Sequence, residues 1–128
     1  MNRKENRERL EKLQELPKVK TTWNEIEEFI NDISKYSKKY VGVYGVPRAG
    51  ELLAILYSYK NDIPILNAPC KGCLVIDDDI GTGLTASAYI GKYDVAVMFS
   101  NRSCKIIPEF VWKYYDDENI FRRFPWEE

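Results

Sequence analysis

From Leu74 to Thr85 the chain reads Leu-Val-Ile-Asp-Asp-Asp-Ile-Gly-Thr-Gly-Leu-Thr, and few architectures accommodate that run. With Cys73, the residues Leu74, Val75 and Ile76 make a fully apolar strand, the pattern of a strand covered on both faces of a parallel sheet. Such a strand delivers three adjacent carboxylates to its carboxyl end, where α/β sheets bind ligands. An ordinary acidic turn is the plain alternative, because Asp and Gly are common turn formers. Three consecutive aspartates weigh against it, since they repel one another unless a cation or hydrogen-bond donors compensate. Glycines at 81 and 83 let the backbone curl with successive N–H groups pointing inward, and a helix opening over Thr85 to Ile90 adds the positive end of its dipole. The cup formed by Gly81, Thr82, Gly83, Leu84 and Thr85, with two Thr hydroxyls, suits a phosphate monoester. The aspartates beside it suit sugar hydroxyls or hydrated Mg²⁺.

The surrounding pattern alternates strands and helices. Thr22-Trp23-Asn24-Glu25 reads as a capping box, and Ile26, Phe29, Ile30, Ile33 and Tyr36 follow at helical spacing. Tyr40 to Tyr44 is a short β-prone run that ends in the loop Gly45-Val46-Pro47-Arg48-Ala49-Gly50. Glu51 to Tyr59 is apolar on most faces and reads as a buried helix. Ile63 to Leu66 is a strand candidate, placed at a sheet edge by Pro64. Val95 to Phe99 is another buried strand, and beyond Ser100 the pattern turns irregular and aromatic. The expected fold is α/β, a mostly parallel twisted sheet with helices on both faces. Residues 1–20 form a charged arm or marginal helix, and residues 21–128 a single domain ending in a small C-terminal hood over about 101–128.

Composition narrows the chemistry. The chain has no histidine, so histidine-dependent nucleophile pairs and general bases are excluded. A net charge of −1 argues against a nucleic-acid partner, which needs a cationic surplus. No stretch is long enough to span a bilayer, and nothing near the start reads as a signal peptide, so a cytoplasmic location is the expectation. Cys70-Lys71-Gly72-Cys73 is an isolated CxxC, more in keeping with a turn and a buried thiol than with half a zinc site or a redox pair.

The aspartate run resembles the phosphoribosyl-diphosphate motif of type I phosphoribosyltransferases. Gly45 to Gly50 is similar to that family's pyrophosphate loop, and the capped first helix and Phe124-Pro125-Trp126-Glu127 resemble its xanthine-guanine and archaeal purine branch. This resemblance implies that Asp77 and Asp78 hold the ribose hydroxyls and, through water, Mg²⁺ as cofactor. It implies a 5′-phosphate cup over Gly81 to Thr85, and pyrophosphate contacts from Val46, Pro47, Arg48, Ala49 and Gly50. Phe121 would stack on the base, the backbone of Arg122 would face its edge, and Lys105 or Arg102 would read a purine carbonyl. The implied partners are small molecules: phosphoribosyl diphosphate, and a purine base or nucleotide. A homodimer is allowed, since dimers are common in the family.

Three departures accompany the resemblance. Gly81 stands where many members carry an acidic residue. Ala49 adds a Cβ to the pyrophosphate loop, and Glu51 adds negative charge beside an expected anion. Lys60 to Gly72 is too short for the family's flexible catalytic loop, which is missing here. The implied function is transfer of phosphoribosyl to a purine base with release of pyrophosphate. The alternative is a non-catalytic phosphoribosyl-diphosphate or nucleotide-binding regulatory module that lost its lid.

Overall fold

The Thr22 capping box forms as the sequence predicts. The Thr22 hydroxyl accepts from the Glu25 amide and the Glu25 carboxylate accepts from the Thr22 amide, each at 3.2 Å. It starts helix α1, Trp23–Ser34, which buries Ile26, Phe29, Ile30 and Ile33 along one face. The computed structural model describes residues 18–35, 39–80, 85–116 and 121–127. Tyr36 and residues 1–17 of the expected arm lie outside them. Lys18–Lys20, the end of that arm, is strand β1.

Strand β2, Val43–Gly45, leads into helix α2, Ala49–Asn61, and then β3, Leu74–Ile80. Strands β4, Asp94–Asn101, and β5, Phe110–Tyr115, follow, and β6 is Phe121–Arg123. The main sheet has the order β2-β3-β4-β5 with every pairing parallel. Ile65 adds a single parallel bridge to Val43 at the β2 edge, the edge position that Pro64 predicts. Strand β5 falls within the segment read as a hood and extends the main sheet instead. The hood sheet is smaller, a parallel pair of β1 with β6.

Strand alternation sends Val43, Leu74, Ile76, Ala96 and Met98 into one core with α1 and α2. Val75, Val95 and Val97 join Val46, Ala86 and, less deeply, Tyr89 and Ile90 in a second core. The two α-helices thus cover one face, and a short 3-10 helix, Ala86–Ala88, lies with the other. The helix expected over Thr85 to Ile90 amounts to this one 3-10 turn. Ala88 N bonds to Thr85 O and Tyr89 N to Ala86 O, Ile90 N adds one α-type bond to Ala86 O, and Lys92 N and Tyr93 N then return to Tyr89 O. Six residues before Gly91 are too few to propagate an α-helix.

Aromatic residues join the hood to the sheet. Phe29 of α1 meets Trp112 of β5 at 6.4 Å between ring centroids, and Trp112 meets Phe99 of β4 at 6.0 Å. Phe99 continues to Phe124, which stacks on Trp126 at 5.0 Å, and Trp126 reaches Trp23 at 6.0 Å. The Trp112 indole N–H donates to Asp32 at 2.9 Å. Phe110, Trp112, Phe124 and Trp126 therefore hold elements together.

Helix α2 departs from the buried helix that its sequence predicts. Gly50, Leu53, Ala54 and Tyr57 are buried, whereas Leu52, Ile55, Leu56 and Tyr59 on the opposite face are exposed. Urea unfolding is expected to rank two α1 variants clearly. Thr22→Ala should lose about 1 kcal/mol with its cap, and Phe29→Ala about 3–5 kcal/mol with its packing.

Candidate functional site

Two loops that are separate in sequence meet at the carboxyl end of β3. The Val46 amide donates to the carbonyl of Ile76 at 2.9 Å, which lays the 45–50 loop across the start of the aspartate run. Gly50 sits so close that an added Cβ would lie 2.6 Å from the Ile76 carbonyl oxygen and 3.4 Å from the Asp77 Cα. Gly45 packs equally tightly on the turn of α2, where a Cβ would meet the Glu51 Cα at 2.5 Å. A side chain at Gly50 would push the loop off the strand, and one at Gly45 would push it off the start of α2.

The loop itself is a tight turn into α2. The peptide bond between Pro47 and Arg48 is cis. Arg48 caps the helix without a side-chain capping bond and is exposed. Of the amides expected to face a pyrophosphate, Val46 is already engaged and Pro47 has none. Helix geometry leaves those of Arg48, Ala49 and Gly50 without an intrahelical acceptor. Ala49 lies in the first turn of the helix, and Asp62 is the non-glycine residue with positive φ among the described residues. The Ala49 methyl therefore does not obstruct the loop. Glu51 is exposed in the same first turn.

The three aspartates occupy different environments. Asp77 is 8% exposed, and its own carboxylate oxygen accepts from the Asp78 amide at 2.8 Å. Burial first, and then the hydrogen bond and negative charge of Asp78, raise the Asp77 carboxyl from its ordinary 3.8 to about 9. Without a ligand Asp77 is consequently protonated at neutral pH. Asp78 is half-buried beside it. Asp79 accepts from the Tyr115 hydroxyl at 2.8 Å. Sequence reasoning missed Tyr115, because its strand pairs with β4 through long-range contacts. The aromatic, β-branched run Phe110 to Tyr115 was the available signal.

The rest of the implied site is described unevenly. Gly81, Thr82, Gly83 and Leu84 of the phosphate cup lie outside the described residues. Thr85 is exposed, in αR conformation at the head of the 3-10 helix, and makes no side-chain capping bond. The Phe121 and Arg122 side chains also lie outside what is described, while their backbone pairs with Lys18 and Val19. Lys105 is exposed in the loop after β4. The Arg102 guanidinium is held by Asp116 at 2.7 Å and lies over the Tyr114 ring.

The connection after α2 is tied to the sheet edge at both ends. Val43 N donates to Pro64 O, Leu66 N to Val43 O and Val41 N to Gly72 O, while Ile63 N closes on Ser58 O and Cys73 N on Cys70 O. The last of these makes Cys70 to Cys73 a β-turn, with the Cys70 amide donating to the Cys73 sulfur at 3.4 Å. Burial pushes the Cys73 thiol up, which makes it a poor nucleophile. Among the described residues no three His, Cys, Asp or Glu side chains converge to hold a metal. Asp77, once its proton is released, and Asp78 form the kind of adjacent carboxylate pair that holds a hydrated Mg²⁺.

An all-parallel four-stranded sheet with acidic residues at a strand's carboxyl end, crossed by a helix-initiating loop, is the type I phosphoribosyltransferase fold. Solved structures bear this out. The purine phosphoribosyltransferase from Pyrococcus horikoshii superposes with a TM-score of 0.72 at 21% identity, over 88% of this chain and 95% of that one. The Helicobacter pylori xanthine-guanine-hypoxanthine phosphoribosyltransferase gives 0.68 at 18% identity, over 86% and 93%. A Neisseria gonorrhoeae protein of hypothetical status with bound ppGpp gives 0.66 at 17%, over 88% and 90%. No protein-family model matches the sequence, and no curated protein is significantly similar to it. Among the described residues no helix is long and apolar enough to cross a membrane.

Two outcomes are expected from this geometry. Between pH 3.8 and about 9 the folded chain keeps a proton on Asp77 that the unfolded chain has released. The stability this gives is complete below the lower value and is lost as pH rises through the upper one. Melting temperature without ligand should therefore fall from pH 5 to pH 8.5, and Asp77→Asn should flatten that slope and raise stability at the alkaline end. Gly50→Ala should cost about 1–3 kcal/mol in urea unfolding, because the Cβ overpacks against strand backbone.

Proposed function

We propose that this protein binds phosphoribosyl diphosphate with Mg²⁺ and transfers the phosphoribosyl group to a purine base, releasing pyrophosphate. The observation that carries this reading is the packing of the 45–50 loop directly against Asp77. It sets helix-start amides beside paired carboxylates on one parallel strand.

In this reading Asp77 and Asp78 accept hydrogen bonds from the ribose hydroxyls and orient the sugar. The amides of Ala49 and Gly50, with the Arg48 guanidinium, face the diphosphate. Thr85, with Gly81 to Leu84, takes the 5′-phosphate. Phe121, the Arg122 backbone and Lys105 contact the base. Mg²⁺, when bound through Asp77 and Asp78 by way of water, supplies positive charge to the leaving diphosphate. The bond from the anomeric carbon to the diphosphate oxygen breaks and its electron pair leaves with pyrophosphate. The base nitrogen supplies the pair for the new bond and loses its proton. Positioning and fixed dipoles lower this barrier without a histidine. The neutral Asp77 carboxyl gives up its proton when the cation-bearing substrate arrives. A purine-salvage role in the cytoplasm follows from this activity.

A second reading has its own observation. Pro64 and Leu66 bond to Val43 and Gly72 to Val41, which fastens both ends of the short connection to the sheet edge. A chain with that connection serves equally as a regulatory module that binds a nucleotide or phosphoribosyl diphosphate without turnover. The neighbour bound to ppGpp is a protein of this fold that holds a guanine nucleotide.

Incubation with phosphoribosyl diphosphate, Mg²⁺ and each purine base in turn separates the two. Formation of a nucleoside monophosphate with equimolar pyrophosphate is expected. Binding with no product from any base identifies the regulatory module. Asp77→Asn with Asp78→Asn is expected to reduce turnover by about 10²-fold or more and to abolish stabilisation by phosphoribosyl diphosphate in thermal melts. The fold should survive the change, because Asn closely matches the neutral carboxyl at position 77.

A further inference from the structure

The connection from α2 to β3 ends in a turn with a cysteine at each end. Cys73 N donates to Cys70 O at 3.1 Å, and Gly72 at the third position has φ +86°, as type II turns require. Such a turn holds its first and fourth Cα atoms within about 7 Å, and a disulfide spans about 4.4–6.8 Å. The Cys70 amide donates to the Cys73 sulfur at 3.4 Å, which turns that sulfur back toward residue 70. The two thiols also share a hydrogen bond. Spacing alone favours a plain turn, because it does not say which way two thiols face.

We propose that Cys70 and Cys73 are a redox-active dithiol, a site of reversible disulfide formation by exchange with small disulfides such as glutathione disulfide. Burial divides the labour between them. Cys70 is exposed and reacts first. Cys73 is buried and holds its proton, because burial disfavours the thiolate. The Cys70 thiolate attacks one sulfur of glutathione disulfide, releasing one glutathione and leaving a mixed disulfide. The Cys73 thiol then yields its proton to solvent, and its sulfur displaces the second glutathione from Cys70. The protein dithiol loses two electrons and two protons, and glutathione disulfide becomes two glutathione thiols. Cys104 takes no part. It follows the carboxyl end of β4, whereas Cys73 precedes the amino end of β3, and its thiol donates to Ile106 O at 3.6 Å.

The fold favours ring closure. Val41 N donates to Gly72 O and Leu74 N to Gly42 O, each at 3.0 Å, so the main chain between the sulfurs is fixed before they join. Closing the ring therefore costs less chain freedom in the folded protein than in the unfolded one. By the same cycle the disulfide stabilises the fold as much as the fold favours the disulfide. None of this involves the proposed ligand.

The test equilibrates the full chain with graded ratios of reduced to oxidised glutathione. The mixture is then quenched in acid, alkylated and analysed by peptide mass. A Cys70–Cys73 disulfide is expected, with Cys104 alkylated. Its equilibrium constant should be at least about tenfold larger in buffer than in concentrated urea, a shift of about 30 mV. The oxidised protein should melt several degrees above the reduced one. A Cβ at Gly72 would meet only the Val41 methyls at 3.6 Å, yet it would have to adopt the same positive φ. Gly72→Ala should therefore lower the constant in buffer and leave it nearly unchanged in urea. Cys70→Ser, at an exposed position, should keep its circular dichroism spectrum and leave the Cys73 thiol unoxidised. Cys73→Ala should stop at a glutathione adduct on Cys70. Wild type that carries only that adduct, or that pairs either cysteine with Cys104, overturns the proposal. A constant no larger in buffer than in urea overturns it as well.

Discussion

The close approach of Gly50 to the end of β3, with Gly45 packed on the first turn of α2, is the constraint on which the rest of the site depends. It is a backbone-to-backbone approach, closer than any side chain permits, and the Val46–Ile76 hydrogen bond fixes its register. Because the loop is pressed against the strand, α2 begins where the strand's carboxylates begin. Its first amides and the acidic run are brought together by this packing. A Cβ at Gly50 would separate them by distorting the strand as well as the loop.

The same packing explains why Asp77 is the unusual carboxyl of the three. Closing the loop over the strand end removes Asp77 from water while Asp78 and Asp79 stay half-buried. Asp79 is compensated by the Tyr115 hydroxyl, reaching in from β5. Asp77 accepts from its neighbour's amide but must also tolerate its neighbour's charge, so it keeps its proton. The folded chain thus holds a carboxyl in a state that favours the fold and disfavours cation binding. A cationic ligand must displace that proton, which makes occupancy of the site pH-linked.

What was legible in the sequence had local causes. The Thr22–Glu25 box, the unbroken apolar run into Asp77 and the proline at position 64 each act within a few residues, and each structural feature follows. The 3-10 turn at Ala86–Ala88 was misjudged because six residues before Gly91 cannot repay helix nucleation. Strands β1 and β5 were not legible because their partners are remote. Lys18–Lys20 pairs with Phe121–Arg123 some hundred residues away, and a Lys-Val-Lys triplet carries no hydrophobic pattern of its own. The exposed side of α2 was misread for the opposite reason. Its apolar residues fall on most faces, but the sheet covers only the Gly50, Leu53, Ala54 and Tyr57 side.

The brevity of the segment between α2 and β3 takes on a different weight in the light of the fold. Against a family expected to carry a long closing loop, a connection fastened to the sheet edge reads as a deficit. Yet this chain aligns with 95% of a purine phosphoribosyltransferase, so overall shortness does not distinguish it from an enzyme of that name. The same connection bonds Leu66 and Pro64 to Val43, so its short path also completes the sheet edge next to the apolar face of α2. Freedom to close over a ligand and a fastened sheet edge are opposing demands on one stretch of chain. Here the hydrogen bonds of Pro64, Leu66 and Gly72 favour the fastened edge. That stretch of chain is therefore part of the sheet edge before any ligand arrives.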